Sequence, residues 1–135
     1  MSDDKRRTSR DTAASGDGLQ REHDLEERTA LFAEAVIELV KSVPATPITR
    51  EIISQLVRSA TSVGANFCEA DEAESKKEFL YRIGVCKKES KESKFHLRMI
   101  VKAEPSARDA ARTLWQEAKE LTLIFAAIIR KGRGA

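Results

Sequence analysis

Arg58-Ser59-Ala60-Thr61-Ser62-Val63-Gly64-Ala65-Asn66-Phe67-Cys68-Glu69-Ala70, followed after Asp71 by Glu72-Ala73-Glu74-Ser75-Lys76-Lys77-Glu78-Phe79, is the stretch whose reading decides the fold. It reads as the end of one amphipathic helix, a tight corner and the capped start of another. Ser75 and Glu78 have the spacing of a capping box, in which the serine hydroxyl accepts from the Glu78 N–H and the glutamate reaches back. The first half carries small polar residues where a plain helical hairpin would place more Leu and Ile.

Working outward from the corner, apolar residues recur at helical steps on both sides. Upstream, Thr46 is a candidate N-cap and Pro47 stands at the first helical position, where its missing N–H costs nothing. Ile48, Ile52, Ile53, Leu56, Val57, Ala60, Val63, Gly64 and Phe67 then make a face wider than one neighbouring helix requires. Downstream, Phe79, Leu80, Ile83, Cys86, Leu97, Ile100 and Val101 mark the next helix, which Pro105 closes. Ser106 and Asp109 are placed to cap a last helix with Ala107, Ala110, Ala111, Leu114, Ala118, Leu121, Phe125, Ile128 and Ile129 inward. A first helix begins near Asp24, carries Leu25, Phe32, Ala35, Val36, Leu39, Val40 and Val43 on one face, and ends at Pro44.

Four helices of this size, each about 27 to 42 Å long at 1.5 Å per residue, are joined by very short connections. Such connections predict an all-α fold, an antiparallel up-down-up-down four-helix bundle. The expected organisation is a disordered tail over residues 1–22, a bundle domain over 23–131 and a disordered C-terminal tail over 132–135, released by Gly132 and Gly134. At 135 residues, with 34% charged and 5% aromatic side chains, the chain is large enough for one core and has the profile of a helical protein.

Ser59, Ser62, Asn66 and Glu69 are spaced by three, four and three, so they share one stripe of the second helix. Hairpin geometry brings Arg58 near the level of Glu89, and Gly64 within about one turn of Gly84. The two glycines predict a close backbone approach between the second and third helices. The stripe, with Arg58, Gly64, Gly84 and Glu89, is expected to fix register across a helix–helix or subunit interface. A ligand-binding groove is the other reading.

Net charge is only +2, but its distribution is uneven. Residues 24–43 carry two basic and five acidic side chains, residues 47–74 the same, and residues 75–103 nine Lys or Arg against three Glu. The basic third helix offers Lys76, Lys77, Arg82, Lys87, Lys88, Lys91, Lys94 and Arg98 as candidates for phosphate contact in RNA or DNA. Lys87, Lys91, Lys94 and Arg98 recur at helical spacing as a ridge. The opposing reading is a solvated face laced with Glu89 and Glu92.

Chemistry finds little support. Cys68 and Cys86 fit neither a metal spacing nor a disulfide framework, so free thiols in a reducing compartment are expected. His23 and His96 are the two histidines. A di-iron bundle needs paired Glu-x-x-His motifs, whereas Glu92 and His96 are four apart and stand alone. No nucleophile–base motif or glycine-rich phosphate loop is present. The expectation is therefore no enzyme, no catalytic residue, no metal and no cofactor. Met1 to Arg10 is charged and unlike a secretory signal, and the near-apolar run Leu121 to Ile129 is half a membrane span. A cytoplasmic protein without membrane attachment is the expectation.

Glu27-Arg28-Thr29, the run Arg58 to Asn66 and the corner Glu72 to Phe79 together resemble the four-helix-bundle proteins encoded by intervening sequences in bacterial 23S ribosomal RNA genes. The resemblance covers about residues 25–130 and continues through Ile83-Gly84, Lys88-Glu89, Glu92 and Leu97. Lys87 and His96 depart from it, standing where an aliphatic residue and an aromatic are common. The resemblance implies a closed bundle assembling as a ring-like homopentamer. It also implies kinship with the accessory protein of diversity-generating retroelements, whose basic surface is thought to engage nucleic acid and a reverse transcriptase. The function expected is a non-enzymatic oligomeric scaffold that binds RNA or DNA phosphates through the third helix. The alternative is a protein–protein assembly module with no nucleic-acid role.

Overall fold

The computed structural model describes residues 16–134, with side chains from Asp24 onward. Four helices run in order: α1 (Gly16–Lys41), α2 (Pro47–Asp71), α3 (Lys76–Ala103) and α4 (Arg108–Gly134), with a 3-10 turn at Pro105–Ala107 before α4. Among the described residues there is no strand. Residues 1–15, most of the expected tail, lie outside the described residues. The α1 helix is described from Gly16, upstream of the Asp24 start read from periodicity.

Local chemistry places each boundary. Thr46 is extended, with φ −133° and ψ 167°, and its side chain accepts from the Thr49 N–H at 3.0 Å. Thr49 returns the bond by accepting from the Thr46 N–H at 2.8 Å, and its hydroxyl donates to the Pro44 carbonyl at 2.7 Å. One buried threonine thus ties the α1–α2 connection to the first turn of α2. At the next corner Ser75 caps α3 as the sequence predicts, accepting from the Glu78 N–H at 3.0 Å. The return bond goes one residue further back, where Glu78 accepts from the Glu74 N–H at 3.3 Å.

The expected cap of α4 is not made. The 3-10 turn runs straight into the helix through Arg108, which is itself αR, so no extended residue precedes α4. Ser106 donates instead to the Glu104 carboxylate. At the other end α4 continues past 131 through Gly132 to Gly134. Neither glycine has a positive φ. Gly132 has a packing role: a Cβ there would lie 2.6 Å from Leu80 Cδ2 of α3.

The core lies between the four helices. Phe32 and Val36 of α1, Leu56 and Val63 of α2, Ile83, Cys86 and Leu97 of α3, and Leu121 and Phe125 of α4 are buried. Phe67 and Phe125 meet across the centre with ring centroids 6.4 Å apart. Each such side chain contributes about 1.5 to 3 kcal/mol by leaving water. Serines and a threonine are accommodated among them because each hydroxyl bonds to its own helix. Ser90 donates to the Cys86 carbonyl at 2.9 Å, and Thr29 to the Glu26 carbonyl at 3.1 Å.

The α2 and α3 helices pack most extensively, then α3 and α4, then α1 and α2; of the neighbouring pairs α1 and α4 touch least. Chain position rises along α2 as it falls along α3: Arg58 meets Glu92, Ser59 meets Ser93 and Asn66 meets Arg82. Leu80 against Gly132 and Lys94 against Trp115 show the same opposition between α3 and α4.

Candidate nucleic-acid interface

The polar stripe of α2 is brought together against α3 within one chain. Ser59 and Ser93 are both fully buried, with their hydroxyls 3.0 Å apart. Asn66 donates to the Ser62 carbonyl at 2.9 Å and to the Ser62 hydroxyl at 3.0 Å, and its Oδ1 accepts from Arg82 Nη1 at 3.0 Å. Arg58 reaches Glu89 at 3.5 Å and Glu92 at 2.9 Å. The register expected for Arg58 and Glu89 is therefore observed. Glu69, at the end of the stripe, is exposed.

The glycines do not meet as the sequence suggests. A Cβ on Gly64 would meet Thr29 Oγ1 of α1 at 3.2 Å, and one on Gly84 would meet nothing within 4 Å. The physical reason is rotation. Residues facing α3 are Ser59, Ser62 and Asn66, and Gly64 falls about 160 to 200° around the helix from Ser62 and Asn66 at 100° per residue. Gly64 is a close-approach site between α1 and α2, and Thr29 is the residue it admits.

The basic residues of α3 separate into three groups. Arg82 faces α2, bonded to Asn66, with its guanidinium carbon also 5.6 Å from the Tyr81 ring centroid. It stands apart from the ridge. Lys76 and Lys77 are exposed in the first turn, and Lys88 is exposed further along. Lys87, Lys91, Lys94 and Arg98 follow the side of α3 that turns toward α4: Lys94 Nζ lies 5.1 Å from the Trp115 ring centroid, and Arg98 lines an open groove between the two helices.

That groove, of about 460 Å³, is lined by Leu97, Arg98 and Val101 of α3 and by Arg108, Ala111, Arg112, Trp115 and Gln116 of α4. The sequence reading did not select Arg108, Arg112, Trp115 or Lys119. Their signal was available: Arg108, Arg112, Trp115 and Lys119 recur at steps of four, three and four, the period of one helix face.

Four acids of α3 and α4 are drawn to arginines of the other two helices. Glu89 and Glu92 of α3 pair with Arg58 of α2. Glu117 and Glu120 of α4 pair with Arg28 of α1 at 2.6 and 2.8 Å. Among the described residues, Lys87, Lys91, Lys94, Arg98, Arg108, Arg112 and Lys119 enter no ion pair. What the arrangement can do chemically is hold anions: it offers a row of cations with an indole between them.

The titratable groups outside this face have structural environments. Hydrogen bonding to Glu117, then to Glu120, raises the Arg28 guanidinium further above its already high range, against the effect of burial. Burial pushes the Cys86 thiol up to about 12. Burial, then Glu26, Asp71 and Glu69, raises the Cys68 thiol. Burial lowers His96, whose ring stands edge-on to Phe95 with centroids 5.6 Å apart. Among the described residues no three His, Cys, Asp or Glu side chains gather as metal ligands would. No helix among them is long and apolar enough to cross a membrane.

Comparison with known proteins bears on the fold. The family described as 23S rRNA-intervening sequence protein matches residues 21–127. A crystal structure of a protein of unknown function from the S23 ribosomal protein family of Bacteroides thetaiotaomicron is similar at 24% identity with a TM-score of 0.68, over 78% of this chain and 97% of that one. At that identity the likeness supports the bundle alone. None of the curated proteins compared matches.

Proposed function

This chain belongs to the 23S rRNA-intervening sequence protein family, and on that premise we propose that it is a non-enzymatic, self-assembling scaffold that binds the phosphate backbone of RNA or DNA through α3. One observation carries the reading: four of the acids of α3 and α4 are paired with arginines of α1 and α2, away from the unpaired bases of α3 and α4. Glu89 and Glu92 of α3 are drawn toward Arg58 and Glu117 and Glu120 of α4 toward Arg28, leaving exposed Lys91 and Arg98 and half-buried Lys87 and Lys94 without a carboxylate partner among the described residues, beside Arg108 and Arg112. A salt-laced solvated face would interleave the two signs; a polyanion site separates them.

Self-association is the second element. Ile48 is 68% exposed, Tyr81 64% and Phe95 56%, and Tyr81 and Phe95 lie about four turns apart along α3. Such residues suit a contact with another copy, and the homopentamer implied by the sequence resemblance would repeat the basic face around a ring. The same exposed residues favour the alternative, an assembly module whose partner is protein alone. Free Cys68 and Cys86 fit a cytoplasmic setting.

Titration of labelled RNA and of duplex DNA at several salt concentrations tests the phosphate reading. Binding that weakens steeply with salt, and is lost in a Lys87/Lys91/Lys94 triple-alanine variant of unchanged helicity, is the expected result. Absence of binding at low salt leaves the assembly module. Light scattering tests the scaffold separately, since a monodisperse monomer contradicts self-assembly.

A further inference from the structure

We infer that the α3–α4 groove holds one unpaired nucleotide of a single-stranded nucleic acid, its base stacked on Trp115 and its phosphates held by Arg98, Arg108 and Arg112. The inference deepens the phosphate-binding reading and rests on it. It adds a preference that phosphate contact alone does not give.

The geometry is of a built site rather than a charged surface. Trp115 is half-buried, so its ring is fixed by packing while part of it remains open to the groove. Lys94 Nζ lies 5.1 Å and Lys119 Nζ 5.8 Å from its centroid, which shows that cationic groups have access to the ring. Both are point charges on flexible four-carbon stems, so an arriving base can take a ring face while the ammonium swings to a neighbouring phosphate. The arginines sit at the groove wall without carboxylate partners among the described residues. The groove, at about 460 Å³, has room for a nucleotide.

Charge complementarity selects an anion, and the indole selects among anions. A duplex keeps its bases stacked on each other and presents phosphates only. A single strand offers free base faces, and stacking on an aromatic side chain accepts any base. Aromatic residues interleaved with Lys and Arg along one face are the arrangement that such ligands need.

Trp115 is the one tryptophan in the chain, so its emission reports on the site directly. Twelve-nucleotide single-stranded RNA and DNA, and a duplex of the same phosphate count, are titrated against the full chain while emission and fluorescence anisotropy are recorded. Both single strands are expected to quench Trp115 saturably, and the duplex to leave its emission nearly unchanged. Trp115→Leu is expected to weaken single-strand binding about tenfold with duplex affinity unaltered. Trp115→Phe, which keeps an aromatic face and guards against misfolding, should restore most of the loss. Binding that is salt-dependent but leaves emission unmoved, with Trp115→Leu equal to the parent, overturns the inference and leaves the phosphate reading standing. No binding of any strand at low salt overturns both.

Discussion

Arg82 donates to Asn66 Oδ1 at 3.0 Å across the α2–α3 pair, and this bond removes one of the most basic-looking residues of α3 from the basic face. Its Nε is buried without a hydrogen-bond partner, so the guanidinium is committed to the helix pair rather than to solvent.

Arg82→Ala is therefore expected to lower stability by about 1 kcal/mol, leaving Asn66 Oδ1 without its donor. Nucleic-acid affinity should change less than twofold. Arg98→Ala should do the reverse, weakening binding with stability intact. Urea unfolding and a binding titration on both variants check the exchange.

The two central glycines are expected to respond with opposite signs. Gly84→Ala fills open space and gains helix propensity, so it should stabilise by about 0.5 to 1 kcal/mol. Gly64→Ala places a Cβ 3.2 Å from Thr29 Oγ1, and Thr29 is only 1% exposed with nowhere to retreat. Overpacking should exceed the propensity gain, giving a net loss of about 1 kcal/mol. Thermal unfolding of the two variants decides the matter.

That pair also shows how far the sequence could be read. Helix periodicity, Pro47 and Ser75 placed α2, α3 and the corner between them, and hairpin arithmetic placed Arg58 beside Glu89. What arithmetic along the chain cannot give is rotation about the helix axis. It put Gly64 and Gly84 at one level, but which neighbour each faces depends on how α1 and α4 dock. The same limit hid half of the basic groove: charge counted helix by helix singled out α3, whereas Arg108, Arg112 and Trp115 join it only through packing.

Arg28 forms a fork with Glu117 and also reaches Glu120, joining α1 and α4, the least extensively packed of the neighbouring helix pairs. The residue is 34% exposed, so solvent screens the pair and Arg28→Ala should lower stability by only about 1 kcal/mol. Arg28→Lys should not restore it, because an ammonium cannot make the two-pronged contact. The difference should shrink in high salt, as measured by urea unfolding midpoints.

The thiols should differ in reactivity. Cys86 is fully buried and its thiol is held up to about 12 from an ordinary 9.0, so it should resist a disulfide reagent at pH 8 until the chain unfolds. Exposed Cys68 should react first, and more slowly than a free thiol, because burial and the nearby carboxylates also raise its pKa and so suppress its thiolate. A raised value in the fold means the Cys86 contribution to stability is complete below about pH 9. It should be lost as pH rises from 9 toward 12, which unfolding midpoints across that range would show.

The central claim is that the face shared by α3 and α4 neutralises phosphates, and the salt slope of binding measures this most directly. Affinity for a single-stranded oligonucleotide is plotted against salt on logarithmic axes for the parent chain and for a Lys91/Arg98/Arg112 triple-alanine variant. Each lost phosphate contact should flatten the slope by about 0.7 to 1, so the variant should bind more weakly with a slope shallower by about 2 to 3. A variant with the parental slope and affinity would place the phosphates elsewhere on the bundle and contradict the account.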